Sequence, residues 1–359
     1  MKKTGKLVIL LLIMCLFTAG CSKEAAKKEM QLPAQGDGEL ATTVDYDFAE
    51  GKTISPLTGE LVDEDVANNR VVACMINNID VAMPQSGISY ADIVYECVVE
   101  GGITRLMGIF QDYKNIPKLG PVRSARHYYV DYANEYDAIY AHFGQTKYAV
   151  SEMEALNTDE LSGLSAMGSV VYYRDNSRVA PHNAYTDGKK IVKGIKKSKF
   201  EKKNTLPDSR FDFNVEQQEL SAEDAKKANI VKLTFNGYSH PYFQYNKKDG
   251  LYYRWQYNAK HIDDQTGEQL CYENIIVQFA DYSDIDKKGY QDLNLVSSGD
   301  GYYISEGKYI PITWEKKSKS EYTNFYTADG QALKVNPGKT WISVFPSNNK
   351  KGVSFKEKE

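Results

Sequence analysis

The sequence predicts an α+β fold: a mixed, layered α/β domain on the N-terminal side and a mostly antiparallel β domain after it. Three observations carry this. Between about residues 70 and 160, apolar runs of strand length alternate with stretches of helical character. Beyond residue 229, short aromatic and β-branched runs are separated by Gly-containing turns. Between them, residues 201–228 are highly charged and contain Pro207, which suits a connector.

The first residues read as a targeting segment. Lys2, Lys3 and Lys6 precede the apolar run Leu7 to Phe17, and Thr18-Ala19-Gly20-Cys21 follows. This describes a secretory signal over residues 1–20, too short for a dedicated membrane span. A Cys directly after Ala-Gly is similar to a bacterial lipobox, in which that Cys is lipidated and becomes the new N-terminus. Thr18 departs from the usual Leu, and the alternative is an ordinary signal peptide that contains Cys21. Two acyl chains on Cys21 would hold the chain at the extracytoplasmic face of the membrane. Residues 21–52 are polar and broken, and read as a flexible tether.

The N-terminal domain is expected over residues 53–200. Val71 to Ile76 is a continuous apolar run ending at Asn77-Asn78, which suits a strand buried on both faces. Ile93 to Val99, Arg105 to Gln111 and Ile139 to Phe143 are further strands; helices are expected over about Ser124 to Tyr136 and Tyr148 to Leu156. A short helix is expected over Ser221 to Ala228. The second domain, 229–350, should hold strands at Val231-Phe235, Tyr242-Tyr245, Tyr252-Tyr257, Asn274-Phe279, Gly301-Ile304, Tyr309-Trp314, Thr323-Tyr326 and Thr340-Phe345. Turns such as Lys248-Asp249-Gly250 and Ala328-Asp329-Gly330 between them imply an antiparallel meander.

Composition narrows function by exclusion. The formal charge is -4, and loss of the three signal lysines leaves -7, with no basic domain to neutralise nucleic-acid phosphates. Cys74, Cys97 and Cys271 remain beyond the anchor, without a C-x-x-C pair. A Cys74–Cys97 bridge is open, with buried free thiols preferred. The five histidines lack metal-ligand spacing, and no phosphate-loop or dinucleotide fingerprint occurs, so no metal and no cofactor are expected.

Arginine placement is the sharpest chemical signal. Of eight arginines among 44 basic residues, five are Arg105, Arg123, Arg126, Arg174 and Arg178. Arginine suits bidentate recognition of carboxylate or phosphate, whereas lysine is a hydrated point charge. In Gly120-Pro121-Val122-Arg123-Ser124-Ala125-Arg126, Ser124 is expected to cap a helix whose free amides and two guanidiniums would favour an anion. The competing reading pairs Arg123 and Arg126 with Glu96, Glu100 or Asp131. A second polar knot, Tyr173 to Asn183, carries Arg174, Arg178, His182 and Asn183, with His182 able to act as acid or base near neutral pH.

These motifs, with Ser55-Pro56-Leu57-Thr58-Gly59, Met75-Ile76-Asn77-Asn78, Pro84-Gln85-Ser86-Gly87, Ala91 to Glu96 and Glu100 to Arg105, resemble the YerB-like bacterial lipoproteins in order along the chain. Pro337-Gly338-Lys339-Thr340-Trp341-Ile342 resembles the second domain of that family. The resemblance implies a two-domain, membrane-anchored extracytoplasmic protein, and supplies no reaction. The expected function is therefore a binding or accessory lipoprotein of the cell envelope. Arg123, Ser124, Arg126, Arg174, Arg178, His182 and Asn183 would recognise an anionic cell-wall or lipid ligand or a partner protein. The alternative is an envelope enzyme acting on phosphorylated or glycan substrates; a purely structural arginine network needs no ligand.

Overall fold

A computed structural model describes residues 50–204, 209–220, 223 and 225–357. Cys21, the signal and most of the tether lie outside the described residues. The α+β class is as the sequence predicts. An eleven-stranded mixed sheet runs, strand by strand, through Lys226–Lys227, Lys308–Glu315, Ser298–Ser305, Asn274–Ala280, Thr340–Pro346, Ile93–Val98, Thr104–Phe110, Val72–Asn77, Ile139–His142 and Glu160–Ser162, with Asn324–Thr327 beside Lys308–Glu315. Strands from the 53–200 and the 229–350 segments thus pair in one sheet. A six-stranded antiparallel sheet, built around Ile230–Leu233, Tyr242–Asn246, Leu251–Gln256 and Val353–Lys356, packs beside it.

The apolar run at 71–76 shows why the central strands of the large sheet have no solvent face. Val71, Ala73 and Met75 enter one core cluster with Tyr128, Tyr129, Tyr132 and Tyr136 from the helix His127–Glu135 and its end. Val72, Cys74 and Ile76 enter the other, with Ile191 and Ile195 of the helix Gly188–Ser198 and with Phe243 and Tyr252 of the smaller sheet. Alternate side chains point to opposite faces, so a strand covered on both sides reads as continuously apolar.

Several expectations are corrected. Thr340–Pro346 runs parallel to both neighbours, Asn274–Ala280 and Ile93–Val98, so the meander is interrupted where the two halves of the chain meet. Lys226–Lys227 is a strand on Lys308 and Tyr309 rather than part of a helix. The helix Gly188–Ser198 adds to those expected; Asp187 caps it by accepting from the Lys190 amide at 2.8 Å. Cys74 and Cys97 are free: the Thr104–Phe110 strand lies between theirs, which keeps the thiols apart.

Candidate functional site: an arginine cluster at the strand ends

The strands Val72–Asn77, Ile93–Val98, Ile139–His142, Glu160–Ser162, Asn274–Ala280 and Thr340–Pro346 share one direction, so their carboxyl ends lie along one edge of the sheet. In open sheets with parallel strands, ligands are held in crevices at that edge. Thr104–Phe110 runs the other way, and pairing with Asn77 and Cys97 brings Arg105 to the same edge.

Ser124 does not cap a helix. The helix begins at His127 with Arg126 as its cap residue, and no side chain satisfies the cap. The preceding residues are extended, and two of their amides are spent: Arg123 N–H donates to Met75 O at 2.9 Å and Ala125 N–H to Gly144 O at 2.9 Å. Gly144 sits at φ +93°, and a Cβ there would lie 2.7 Å from Ser124 Oγ, so only glycine permits this approach.

The eight arginines divide evenly. Arg70, Arg126, Arg210 and Arg254 each meet a carboxylate. Arg126 grips Glu100 bidentately, Nε–Oε1 at 2.6 Å and Nη2–Oε2 at 2.7 Å, and its Nη1 donates to the carbonyls of Ser124 and Ala125. Its donors are already engaged. Arg105, Arg123, Arg174 and Arg178 have carbonyl or amide acceptors and, among the described residues, no carboxylate. Arg178 ties its loop to the carbonyls of Met83 and Pro84, at 3.1 and 2.8 Å. Arg174 donates to Asn183 Oδ1 at 2.7 Å and lies over the Phe143 ring at 4.4 Å. The acid of its own loop, Asp175, is taken by Lys118 at 2.8 Å.

The two polar segments meet in space. Arg123 Nη1 reaches Pro181 O at 3.4 Å, which brings it beside His182. Arg105 is only 3% exposed, and its Nε, like that of Arg123, has no partner among the described residues. Burial pushes the Arg105 guanidinium down to about 10, and Arg126 and Arg123 push it the same way. Burial likewise lowers Arg123, with Arg126 next. Like charges gathered with orphan donors are unsatisfied without an anion.

His182 completes the group as a donor. Asn77 Nδ2 lies 2.8 Å from its Nδ1. An amide nitrogen only donates, so Nδ1 accepts and the proton sits on Nε2. Burial, then Arg123, lowers its pKa, which keeps the ring neutral. His182 therefore presents an N–H rather than a free base.

Asn77 also links the cluster to a fully buried network that the sequence did not reveal. Asn78 donates to Glu96 and Thr104, and Gln85 donates to Asn77 O and Asn78 Oδ1. Glu96 receives Arg254 Nη2 at 3.1 and 2.9 Å; Arg254 Nη1 reaches His261 Nδ1 at 2.8 Å, and His261 Nε2 bonds Gln85 Oε1. Arg254 lies over Trp341 at 4.3 Å. One signal was available: Arg105 and Glu96 are charged residues inside otherwise apolar strands, and such groups are placed for a reason. Among the described residues, no three His, Cys, Asp or Glu side chains converge as a metal site, and no helix is long and apolar enough to cross a membrane.

Comparison with known proteins agrees with this architecture. Residues 57–201 match "Protein of unknown function (DUF3048) N-terminal domain" and residues 231–342 match the C-terminal domain of the same family. "Putative lipoprotein YerB" of Bacillus subtilis (strain 168) is 33% identical over 307 residues, covering 84% of this chain and 89% of that protein. The crystal structure of the B. subtilis YerB protein superimposes with a TM-score of 0.75 at 32% identity, covering 85% of this chain and 100% of that one. The chain accordingly belongs to the family of unknown function that contains YerB, in both its N-terminal and its C-terminal domain.

Proposed function

We propose that this protein is a lipoprotein of the cell envelope, anchored through Cys21, that binds an oxyanion, phosphate in character, at Arg105, Arg123, Arg174 and His182. Residues 21–52 serve as its tether, with 53–200 and 229–350 as its domains. The observation that carries the binding is the pair of buried, unpartnered Nε–H groups of Arg105 and Arg123, in a group whose one neighbouring carboxylate, Glu100, is already held by Arg126. The open groups of the cluster, the Nε–H of Arg105 and of Arg123 and the Nε2–H of His182, are donors, which suits a deprotonated oxyanion. Binding is thus better supported than catalysis.

The test is calorimetric titration of the full chain, in detergent, with inorganic phosphate and with sulfate. Removing one charge-assisted hydrogen bond should cost about 1.5–3 kcal/mol, tenfold or more in affinity. Arg123→Lys and Arg174→Lys keep the charge but lose the planar fork, and should weaken binding while the melting temperature holds. Unchanged affinity in both variants, or no binding by the wild type, would reject the site.

A further inference from the structure

A hollow lies at the same edge of the sheet, beside the Glu100-Gly101-Gly102 turn, where Asn236 of its lining bonds Gly102 O. It is open to solvent and holds about 320 Å³, near the lower end of small-molecule pockets, about 300–1,000 Å³. Its walls come from chain that leaves the carboxyl ends of three adjacent parallel strands. Val98 ends Ile93–Val98, Tyr282 to Asp284 follow Asn274–Ala280, and Pro346 and Asn348 close Thr340–Pro346. After Val98 the chain turns to Thr104–Phe110 on one side, and after Ala280 it goes to Ser298–Ser305 on the other. This is the reversal of strand order at which sheets of this kind open a crevice.

The rim is held in place. Tyr282 Oη accepts from Val98 N–H at 3.4 Å and donates to Val344 O at 2.7 Å, while Asn236 Nδ2 bonds Gly102 O. The chemistry of the lining is opposite to that of the arginine cluster. It holds no lysine or arginine, and its lone carboxylate, Asp284, already accepts from Gln291 through Oδ1. That leaves Asp284 Oδ2 and Gln291 Oε1 as acceptors, beside the exposed Ser283 hydroxyl and Asn348 amide, which have no partner among the described residues. Val98, Phe235 and Pro346 supply a short apolar wall. An anion would lack a cation here, and a cation would find one shared carboxylate. Mixed donors and acceptors on amide, hydroxyl and carboxylate groups match a ligand whose hydroxyls both donate and accept.

We propose that this crevice is a binding site for a neutral, hydroxyl-rich ligand: a saccharide unit. The site is distinct from the arginine cluster and does not depend on it. Saturation-transfer NMR on the full chain in a sugar-free zwitterionic detergent tests it, with the disaccharide of N-acetylglucosamine, maltose and tri-alanine as probes at millimolar concentration. Transfer to at least one disaccharide is expected, reduced several-fold by Ser283→Trp, which fills the crevice, and by Asn348→Ala, which removes its amide. Both positions are exposed, so both variants should melt as the wild type does, and Arg123→Lys should leave the transfer intact. No transfer to either disaccharide, transfer undiminished in both variants, or preference for tri-alanine would overturn the assignment.

Discussion

Arg105 and Arg126 donate to one acceptor, the carbonyl of Ser124, at 2.9 and 3.2 Å. The two guanidiniums fill both lone pairs of that carbonyl, and the buried Nε–H groups of Arg105 and Arg123 find no acceptor among the described residues. Glu100 offsets one charge; Arg105, Arg123 and Arg174 are left without a carboxylate. The arginines of this edge therefore divide into a scaffold role for Arg126 and an open role for its neighbours.

Glu100→Gln should expose that division. It removes the carboxylate from a bidentate pair whose Arg126 and Glu100 side chains are 11% and 21% exposed and adds one net positive charge to the cluster. A loss of about 2 kcal/mol is expected. If the cluster binds an oxyanion as proposed, sulfate should recover more stability in the variant than in the wild type. Thermal melts with and without sulfate measure this; equal sulfate effects in both proteins would contradict it.

Glu96 and Arg254 are both fully buried and join the two halves of the chain. Glu96→Gln leaves the Arg254 charge buried and uncompensated, which should cost about 3–5 kcal/mol. The double variant Glu96→Gln, Arg254→Met removes the orphan charge and should recover part of that loss. Urea unfolding of the three proteins decides it, and a single variant as stable as the wild type would refute the account.

Stability should fall with acid partly because of His261. Burial, then Arg254, holds its pKa well below the ordinary value. In the unfolded chain the ring takes up a proton below about pH 6.5; in the folded protein it stays neutral until much lower. The unfolded state then binds more protons, so stability drops as pH falls through this window, by up to about 1.4 kcal/mol per unit. His261→Gln removes this contribution, and the difference between the two proteins should shrink or reverse from about pH 7 to about pH 5. A difference that is flat with pH would show that His261 titrates normally.

Cys21→Ser should abolish anchoring. Without the thiol no acyl chain can be attached, so the protein should appear in the medium or remain as an unprocessed precursor. Metabolic labelling with a fatty acid followed by fractionation checks this; lipid-labelled mature protein in the variant would exclude Cys21 as the anchor.

The polar loops show what a sequence withholds. Arg123, Asn77 and His182 stand in separate segments, and only folding brings Arg123 to Pro181 O and Asn77 to the His182 ring. The helix cap expected at Ser124 is absent because sheet-like bridges claim the amides before the helix begins, and such pairing depends on strands distant in sequence. Arg105 is one of the five clustered arginines, yet a strand position does not disclose which end of a sheet it reaches, so the sequence does not place it in the site.

By itself the sequence determined what is local: apolar runs of strand length, turns at Asp-Gly, the α+β class, and a concentration of arginine between residues 105 and 178. Each follows from backbone sterics, side-chain periodicity or composition within a few residues. Only the tertiary structure decided what is non-local. It set Thr340–Pro346 parallel to Ile93–Val98, so that both halves of the chain share one sheet. It gave Glu100 to Arg126 and Glu96 to Arg254 while leaving Arg105 and Arg123 with open donors. A charge finds its partner through three-dimensional proximity, and two glutamates four residues apart were sent to different arginines because the Ile93–Val98 strand ends between them.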